Sequence, residues 1–179
     1  MSTMAGTIAP AGTWALDRVH STVGFEVGYL VGTFKGQFRD VDGRLEVGET
    51  GASLEGSARV ASVDVKDENL AAHLQSPDFF DAETYPELRF SADDFAIAGG
   101  AVTVDGEITI KGVTKPVVVT GTVAEPLTDP YGNERIGLAV STTVDRTEFG
   151  VSWNNPLPGG KPALANEVRI VGELAFVKA

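Results

Sequence analysis

The sequence predicts an all-β fold, a single antiparallel β-barrel of about eight strands with one short helical insertion near residues 67–84. Apolar and polar residues alternate along most of the chain, and this period of two is typical of half-buried strands. Short turns rich in Gly, Pro and Asn separate the alternating segments, and short connections favour antiparallel neighbours. A closed barrel is the economical arrangement of so many short strands, because closure leaves no exposed sheet edge.

The first half of the chain is predicted to begin with a flexible tail over residues 1–11, which are small and mostly uncharged. One domain then spans residues 12–179. A polar corner at 17–21 interrupts the alternation, and segments 34–38 and 41–47 are expected to pair with each other. The strands expected before the insertion are 14–16, 23–29, 34–38, 41–47 and 54–60.

The insertion is the one stretch where the apolar period changes to about 3.6. Asp67 is a good N-cap because its carboxylate can accept hydrogen bonds from the first helical turn. Leu70, His73 and Leu74 then share one face of the helix. Pro77 ends this helix, and the residues around it also indicate a second helical start.

Phe79 and Phe80 follow as adjacent bulky rings that point in different directions if this second segment is helical. One ring can then pack on the barrel while the other faces a different surface. The insertion is therefore either a lid over a cavity or a plug that fills one barrel end, and the residues alone favour the plug because most aromatic clusters are core.

The second half of the chain returns to alternation. Gly99-Gly100 predicts a hairpin, residues 111–116 a turn, and residues 126–133 a polar loop. Residues 147–150 indicate a turn or a short helical piece. The strands expected here begin at Leu88 and continue as 95–97, 102–104, 107–110, 117–123, 136–144 and 168–176.

Composition excludes several classes of function. The net charge is −11, from 25 acidic and 14 basic residues, and no basic cluster offers a groove for nucleic acid or an anionic membrane surface. The chain has no Cys and only two His, so neither a thiolate site nor a His-rich metal centre is expected, and no cofactor motif is present. No apolar run could span a membrane stably, and no signal peptide is evident, which predicts a cytoplasmic location.

Few residues suggest catalysis. Asp17, His20 and Ser21 carry the letters of a hydrolytic triad, but three near neighbours on one corner rarely adopt its geometry. The alternative is a corner held by Asp and His hydrogen bonds. His73 is either an inward histidine or a polar contact at a cavity mouth, and Asp145-Arg146 is expected to form an ordinary ion pair.

Six segments follow one another in a specific order: WALDRVHSTVGFEV at 14–27, GTFKGQF at 32–38, FFDAETYPELRF at 79–90, ITIKGVTKPV at 108–117, DRTEFGVSWNNPLP at 145–158 and EVRIVGEL at 167–174. Together they resemble the YceI-like family of lipid (polyisoprenoid)-binding proteins, over about Gly12 to Lys178. The resemblance implies an extended lipocalin-like barrel with a helical insertion and a long apolar pocket for an isoprenoid chain.

The resemblance implies non-covalent binding of a polyprenyl phosphate or an isoprenoid quinone, with no catalytic residues and no metal. Many members are exported and related proteins are often dimers, so a homodimer is possible, while the absence of a signal peptide places this chain in a cytoplasmic branch. An esterase that uses His20 and Ser21 and a filled structural barrel are the alternatives. Expected wall residues are Phe25, Val27, Phe38, Leu70, Leu74, Phe79, Phe80, Phe90, Ile108, Phe149 and Trp153, and expected head-group contacts are Arg18, His20, His73 and Arg146.

Overall fold

The computed structural model describes residues 10–97 and 100–179. Within them are eleven strand segments, one α-helix and two short 3₁₀ turns, Val60–Ser62 and Arg146–Phe149. The helix, α1, is Glu68–Gln75. The strands are β1 Gly12–Leu16, β2 Thr22–Tyr29, β3 Gly32–Phe38, β4 Val41–Val47, β5 Ala52–Arg59, β6 Val63–Asp64, β7 Glu87–Phe95, β8 Gly100–Ile110, β9 Val113–Thr128, β10 Glu134–Asp145 and β11 Leu164–Lys178.

The eleven segments make a closed barrel of eight strands, as predicted. β1 and β2 both pair with β11, so together they form one strand that bends at residues 17–21. β3 with β4, and β5 with β6, are two further bent strands. The antiparallel neighbours run around the barrel from the first bent strand to the second and the third, then through β7, β8, β9, β10 and β11 back to the first.

The structure corrects three details of the strand prediction. β3 and β4 pair with β2 and β1 rather than with each other, because they are two parts of one bent strand. The two segments expected within residues 102–110 are one continuous strand, β8. β9 continues through Pro116 to Thr128, so the predicted turn and polar loop are both shorter. Residues 98–99 of the expected hairpin and residues 1–9 of the expected tail lie outside the described residues.

The interior divides into two halves along the barrel axis. The filled half is centred on Trp14, Leu45 and Phe176, each 0% exposed and surrounded by the inward residues of neighbouring strands. The cavity half is centred on Phe25 and Phe38 and also receives the side chains of the insertion. Both halves are apolar, so hydrophobic burial stabilises each of them.

The insertion begins as predicted. Asp67 accepts hydrogen bonds from the backbone N–H groups of Asn69 and Leu70, at 2.8 and 3.0 Å, and so caps α1. The predicted second helical start is instead a series of turns over residues 77–84. The backbone N–H of Phe80 donates to the carbonyl of Leu74, and that of Phe79 donates to Ser76.

One lysine ties the insertion to the rest of the barrel end. The ammonium of Lys111, in the turn between β8 and β9, donates to the carbonyls of Pro77 and Gly150 at 2.6 and 3.3 Å. The structure uses Lys111 to join the insertion, the β8–β9 turn and the segment after β10.

Candidate functional site

A cavity of about 420 Å³ occupies the barrel at the end that carries the insertion. This volume lies within the usual range for small-molecule pockets. The floor is formed by residues at the border of the filled half, including Leu54, Val104, Val119, Leu138 and Phe176. Apolar side chains from the strands and from the insertion form most of the wall, so the cavity suits an apolar ligand.

Four phenylalanines form one side of the wall. The Phe25 ring lies 5.9 Å from Phe34 and 5.8 Å from Phe38, measured between ring centroids. Phe80 of the insertion packs edge-on against Phe38 at 5.8 Å. Gly36 makes room for this cluster, because a Cβ there would lie 2.6 Å from the Phe25 ring. The insertion thus completes an aromatic surface that the strands begin.

A second aromatic cluster lies near the opening. His73 contacts the rings of Phe79 and Trp153 edge-on, at 4.9 and 4.8 Å, and its Nε2 lies 3.1 Å from a carboxylate oxygen of Asp78. The His73 side chain is 33% exposed while the residue also lines the cavity. Phe79 and Phe80 therefore point to different sides, as expected, and His73 brings a polar group to the cavity wall.

Arg146 is the one buried cation in the described part of the cavity lining, with only 6% of its surface exposed. Its Nε donates to the carbonyl of Ala165 at 2.8 Å, and its Nη1 donates to Val151 and Trp153 at 2.7 and 2.8 Å. Burial lowers the pKa of this guanidinium from its ordinary value. The expected exposed ion pair with Asp145 is wrong, because that carboxylate caps the 3₁₀ turn through the N–H of Thr147.

The structure brings together thirteen of the fifteen predicted site residues. They line one cavity, although their contact with a ligand stays a prediction. The lining includes the eleven expected wall residues, Phe25, Val27, Phe38, Leu70, Leu74, Phe79, Phe80, Phe90, Ile108, Phe149 and Trp153, and two of the expected head-group residues, His73 and Arg146.

The other two predicted head-group residues lie elsewhere. Asp17 accepts from the backbone N–H groups of Val19 and His20, and this turn holds the His20 side chain outward and 68% exposed, with its Nδ1 2.7 Å from Asp17. Arg18 pairs with Asp42 at 3.1 Å and is also exposed. Neither is among the residues that line the cavity, and their contact with a ligand head group stays a prediction.

The geometry needed by the hydrolase alternative is not formed at this corner. The Ser21 hydroxyl is buried, accepts from the backbone N–H of Ala175 at 2.9 Å and donates to its carbonyl at 3.3 Å. His20 points instead to Asp17, which also binds Arg135 at 2.8 Å. The corner is a structural joint between β1, β2 and β11, as the alternative interpretation expected.

Sequence reasoning missed part of the lining. Val144, Val168 and Ile170 lie on the inward side of alternating strands, and that alternation could have identified them. Val151 lies in a segment without regular alternation, so no periodic signal marked it. Four glycines also line the cavity, and their missing side chains leave space that a sequence pattern does not show: Gly24, Gly43, Gly56 and Gly172.

Two further observations concern metal ligands and membrane-spanning helices. Within residues 10–97 and 100–179, no group of three or more His, Cys, Asp or Glu side chains is placed to hold a metal ion. Among the same residues, no helix is long and apolar enough to cross a membrane.

The fold is a closed antiparallel barrel of eight strands with an apolar cavity beneath a helical insertion, the class of barrel that can hold one small ligand. A family model described as the YceI-like domain matches residues 14–176. The chain therefore belongs to the YceI-like domain family.

Known proteins agree with this assignment. A UPF0312 protein of Pseudomonas fluorescens is 33% identical over 141 residues, which are 73% of this chain and 71% of the relative. The crystal structure of Burkholderia cenocepacia BcnA superposes with a TM-score of 0.75 at 25% identity, covering 89% of this chain and 98% of that one. A polyisoprenoid-binding domain from Saccharophagus degradans superposes with a TM-score of 0.72 at 14% identity, covering 93% and 98%, and shows the shared fold.

Proposed function

We propose that this protein binds a long-chain isoprenoid lipid in its cavity, for carriage or sequestration, without covalent chemistry. The single observation that carries the proposal is the apolar cavity of about 420 Å³ beneath an aromatic insertion. Membership of the YceI-like domain family and the fold shared with a polyisoprenoid-binding domain support it.

Hydrophobic burial supplies the binding free energy in this proposal. Each CH₂ group removed from water contributes about 0.8 kcal/mol, so one isoprene unit contributes about 3–4 kcal/mol before costs. Loss of translational freedom and ordering of the chain offset much of that sum. A few buried units still give tight binding, and selection then depends on the length and width of the cavity.

The head group is proposed to be neutral, as in a quinone, rather than a phosphate. Arg146 directs its donors to the backbone carbonyls of Val151, Trp153 and Ala165. Its guanidinium therefore has little capacity left for a bidentate phosphate contact. His73, with a partly exposed ring, is the proposed polar contact for a quinone oxygen.

A mass spectrum of the organic extract of the natively purified protein is the first test. A stoichiometric prenyl lipid or quinone in the extract supports the proposal and identifies the ligand.

Binding is then measured by titration with a short-tailed ubiquinone, followed through the fluorescence of Trp153, which lines the cavity. Trp14, fully buried in the filled half, gives a constant background.

Phe79→Asp is the matched variant for this titration. A carboxylate in the apolar lining is expected to cost roughly 2 kcal/mol of binding, a loss of about 30-fold in affinity. Phe79→Leu, which keeps the site apolar, serves as the control and should bind within about threefold of the parent chain. Equal affinity of the Asp variant and the parent would exclude the cavity as the binding site.

The cytoplasmic location and the possible homodimer stay predictions. Cell fractionation would test the first, and analytical ultracentrifugation would test the second.

A further inference from the structure

The turn between β2 and β3 exposes apolar side chains beside the cavity. Val31 is fully exposed, Leu30 is 56% exposed, and Tyr29 is 43% exposed while also lining the cavity. We call these three residues the rim patch. Because Tyr29 belongs to both surfaces, the rim patch is continuous with the cavity opening.

The turn has an unfavourable sequence for its shape. Tyr29 pairs with Gly32, so Leu30 and Val31 form a two-residue hairpin turn. Leu30 has a φ of 51°, in the left-handed region where Gly and Asn are favoured and larger side chains are strained. Neither packing nor turn chemistry therefore accounts for two exposed aliphatic residues at this tip, and such local strain is typical of functional positions.

The surroundings of the rim patch carry almost no charge. The Leu30 N–H donates to the carbonyl of Ala163 at 2.9 Å, which joins the turn to the segment after β10. Neither residues 27–34 nor residues 149–166 contain Asp or Glu, and their one basic residue is Lys161. In a chain with 25 acidic residues, these two segments thus carry a single charge, that of Lys161.

We propose that the rim patch docks on the surface of a neutral, zwitterionic lipid bilayer, so that the cargo passes between bilayer and cavity at the point of contact. The purpose of this docking rests on the proposed isoprenoid cargo. Leu30 and Val31 enter the acyl boundary, and Tyr29 lies at the interface, where amphipathic rings are favoured. Residues 27–34 and 149–166, which meet at the rim patch, bring no acidic side chain to the lipid.

A second copy of this chain is the competing occupant, and the size of the patch argues against it. A stable protein interface buries about 800 Å² on each partner. Three side chains on one hairpin tip supply only a fraction of that area. Shallow insertion into a bilayer needs no such area, because the acyl region accepts individual apolar side chains.

The test uses the double variant Leu30→Gly with Val31→Ser, which places Gly at the turn position that has a positive φ and a polar residue after it. This variant is expected to melt at the same temperature as the parent chain or higher. Its flotation with phosphatidylcholine vesicles, and its rate of ubiquinone uptake from those vesicles, should each fall about tenfold. The control is Tyr131→Asn, since Tyr131 is 88% exposed in the β9–β10 turn at the opposite barrel end. It should float like the parent.

Several outcomes would overturn the inference. They are equal flotation of parent and double variant, an equal loss in the Tyr131 control, and a change confined to the sedimentation coefficient, which would assign the patch to a second copy. Titration with ubiquinone added from solvent separates this inference from the proposed function. Ubiquinone binding without parent flotation refutes docking alone, whereas flotation that depends on the rim patch without ubiquinone binding supports docking and refutes the cargo.

Discussion

The filled half and the cavity half of the barrel are built from the same strands but differ in what their inward residues do. In the filled half, Trp14, Leu45 and Phe176 are completely buried within one cluster of apolar side chains. In the cavity half, residues such as Phe25 and Phe80 pack edge to face around a space of about 420 Å³. Strand alternation thus determines which side chains face inward. A separate feature determines whether those side chains fill the centre of the barrel.

Glycine is that feature. Gly43 and Gly56 face each other across β4 and β5, and both line the cavity. Gly106 allows the Phe90 ring to lie against the wall, because a Cβ there would come within 2.6 Å of it. Missing side chains at inward positions leave the centre open, and the insertion closes the end instead of filling it.

The largest expected difference between the halves is in stability. Trp14→Ala should lower the free energy of unfolding by about 4 kcal/mol, because it removes a large ring from a fully packed region. Phe80→Ala should cost about 1–2 kcal/mol, since that ring already borders open space. Urea denaturation followed by circular dichroism measures both values. Similar losses of unfolding free energy for the two variants would contradict the division into a filled half and a cavity half.

Arg146 should matter for the stability of the cavity half. Arg146→Met leaves the carbonyls of Val151, Trp153 and Ala165 without their donor, and we expect a loss of about 3 kcal/mol in the same assay. Arg169→Met is the control. Arg169 is half exposed and pairs with Glu26 at 3.4 Å, so its removal should cost no more than about 0.5 kcal/mol. An unchanged free energy of unfolding for Arg146→Met would show that residues 151–165 are held by other contacts.

The smallest expected effect is a loss of stability at low pH, which arises from Asp17 and Asp129. Hydrogen bonds from Arg135 lower the pKa of Asp17 and of Asp129 from 3.8 to about 2, and His20 also lowers that of Asp17. Both carboxylates are more acidic in the folded chain than in the unfolded chain. Their stabilisation is therefore complete above about pH 4 and is lost as the pH falls towards 2.

Thermal melting between pH 5 and pH 2 measures this effect. The melting temperature of the parent chain should fall over that interval. Arg135→Met should show a smaller fall, because Asp17 and Asp129 lose the hydrogen bonds from Arg135 that lower their pKa values. Identical slopes for the two proteins would assign the acid sensitivity to other groups.

The barrel was predictable from the sequence because alternation and turn residues agree along most of its length. The capped start of α1 was also predictable, since Asp67 stands where an N-cap is needed. The aromatic residues of the cavity wall were identified with the help of the family resemblance, which favoured a hollow barrel over a plug. From the residues alone, Phe79 and Phe80 suited either interpretation.

The remaining features depend on contacts between residues distant in the chain. The role of Arg146 is set by carbonyls that lie 5 to 19 residues away, those of Val151 and Trp153 in a segment with no regular pattern and that of Ala165 in β11. Arg135 lies 118 residues from Asp17 in the sequence, so no local motif marks their pair. Arg18 and His20 were placed at the cavity because of their charge. The turn chemistry of Asp17, a local feature, directs His20 outward instead.

The hydrogen bonds of Lys111 bear on how quickly the barrel end can open. A flexible amine that joins the carbonyls of Pro77 and Gly150 exchanges them for water at a net cost of only about 1 kcal/mol per bond. Side-chain rearrangements of this kind take picoseconds to nanoseconds, and loop motions take nanoseconds to microseconds. The contact that Lys111 makes across the barrel end is therefore expected to open and reclose within microseconds. Under the proposed function, release of an isoprenoid chain would then be timed by the transfer of its apolar surface into water or lipid, and the Lys111 contact would not act as a slow gate.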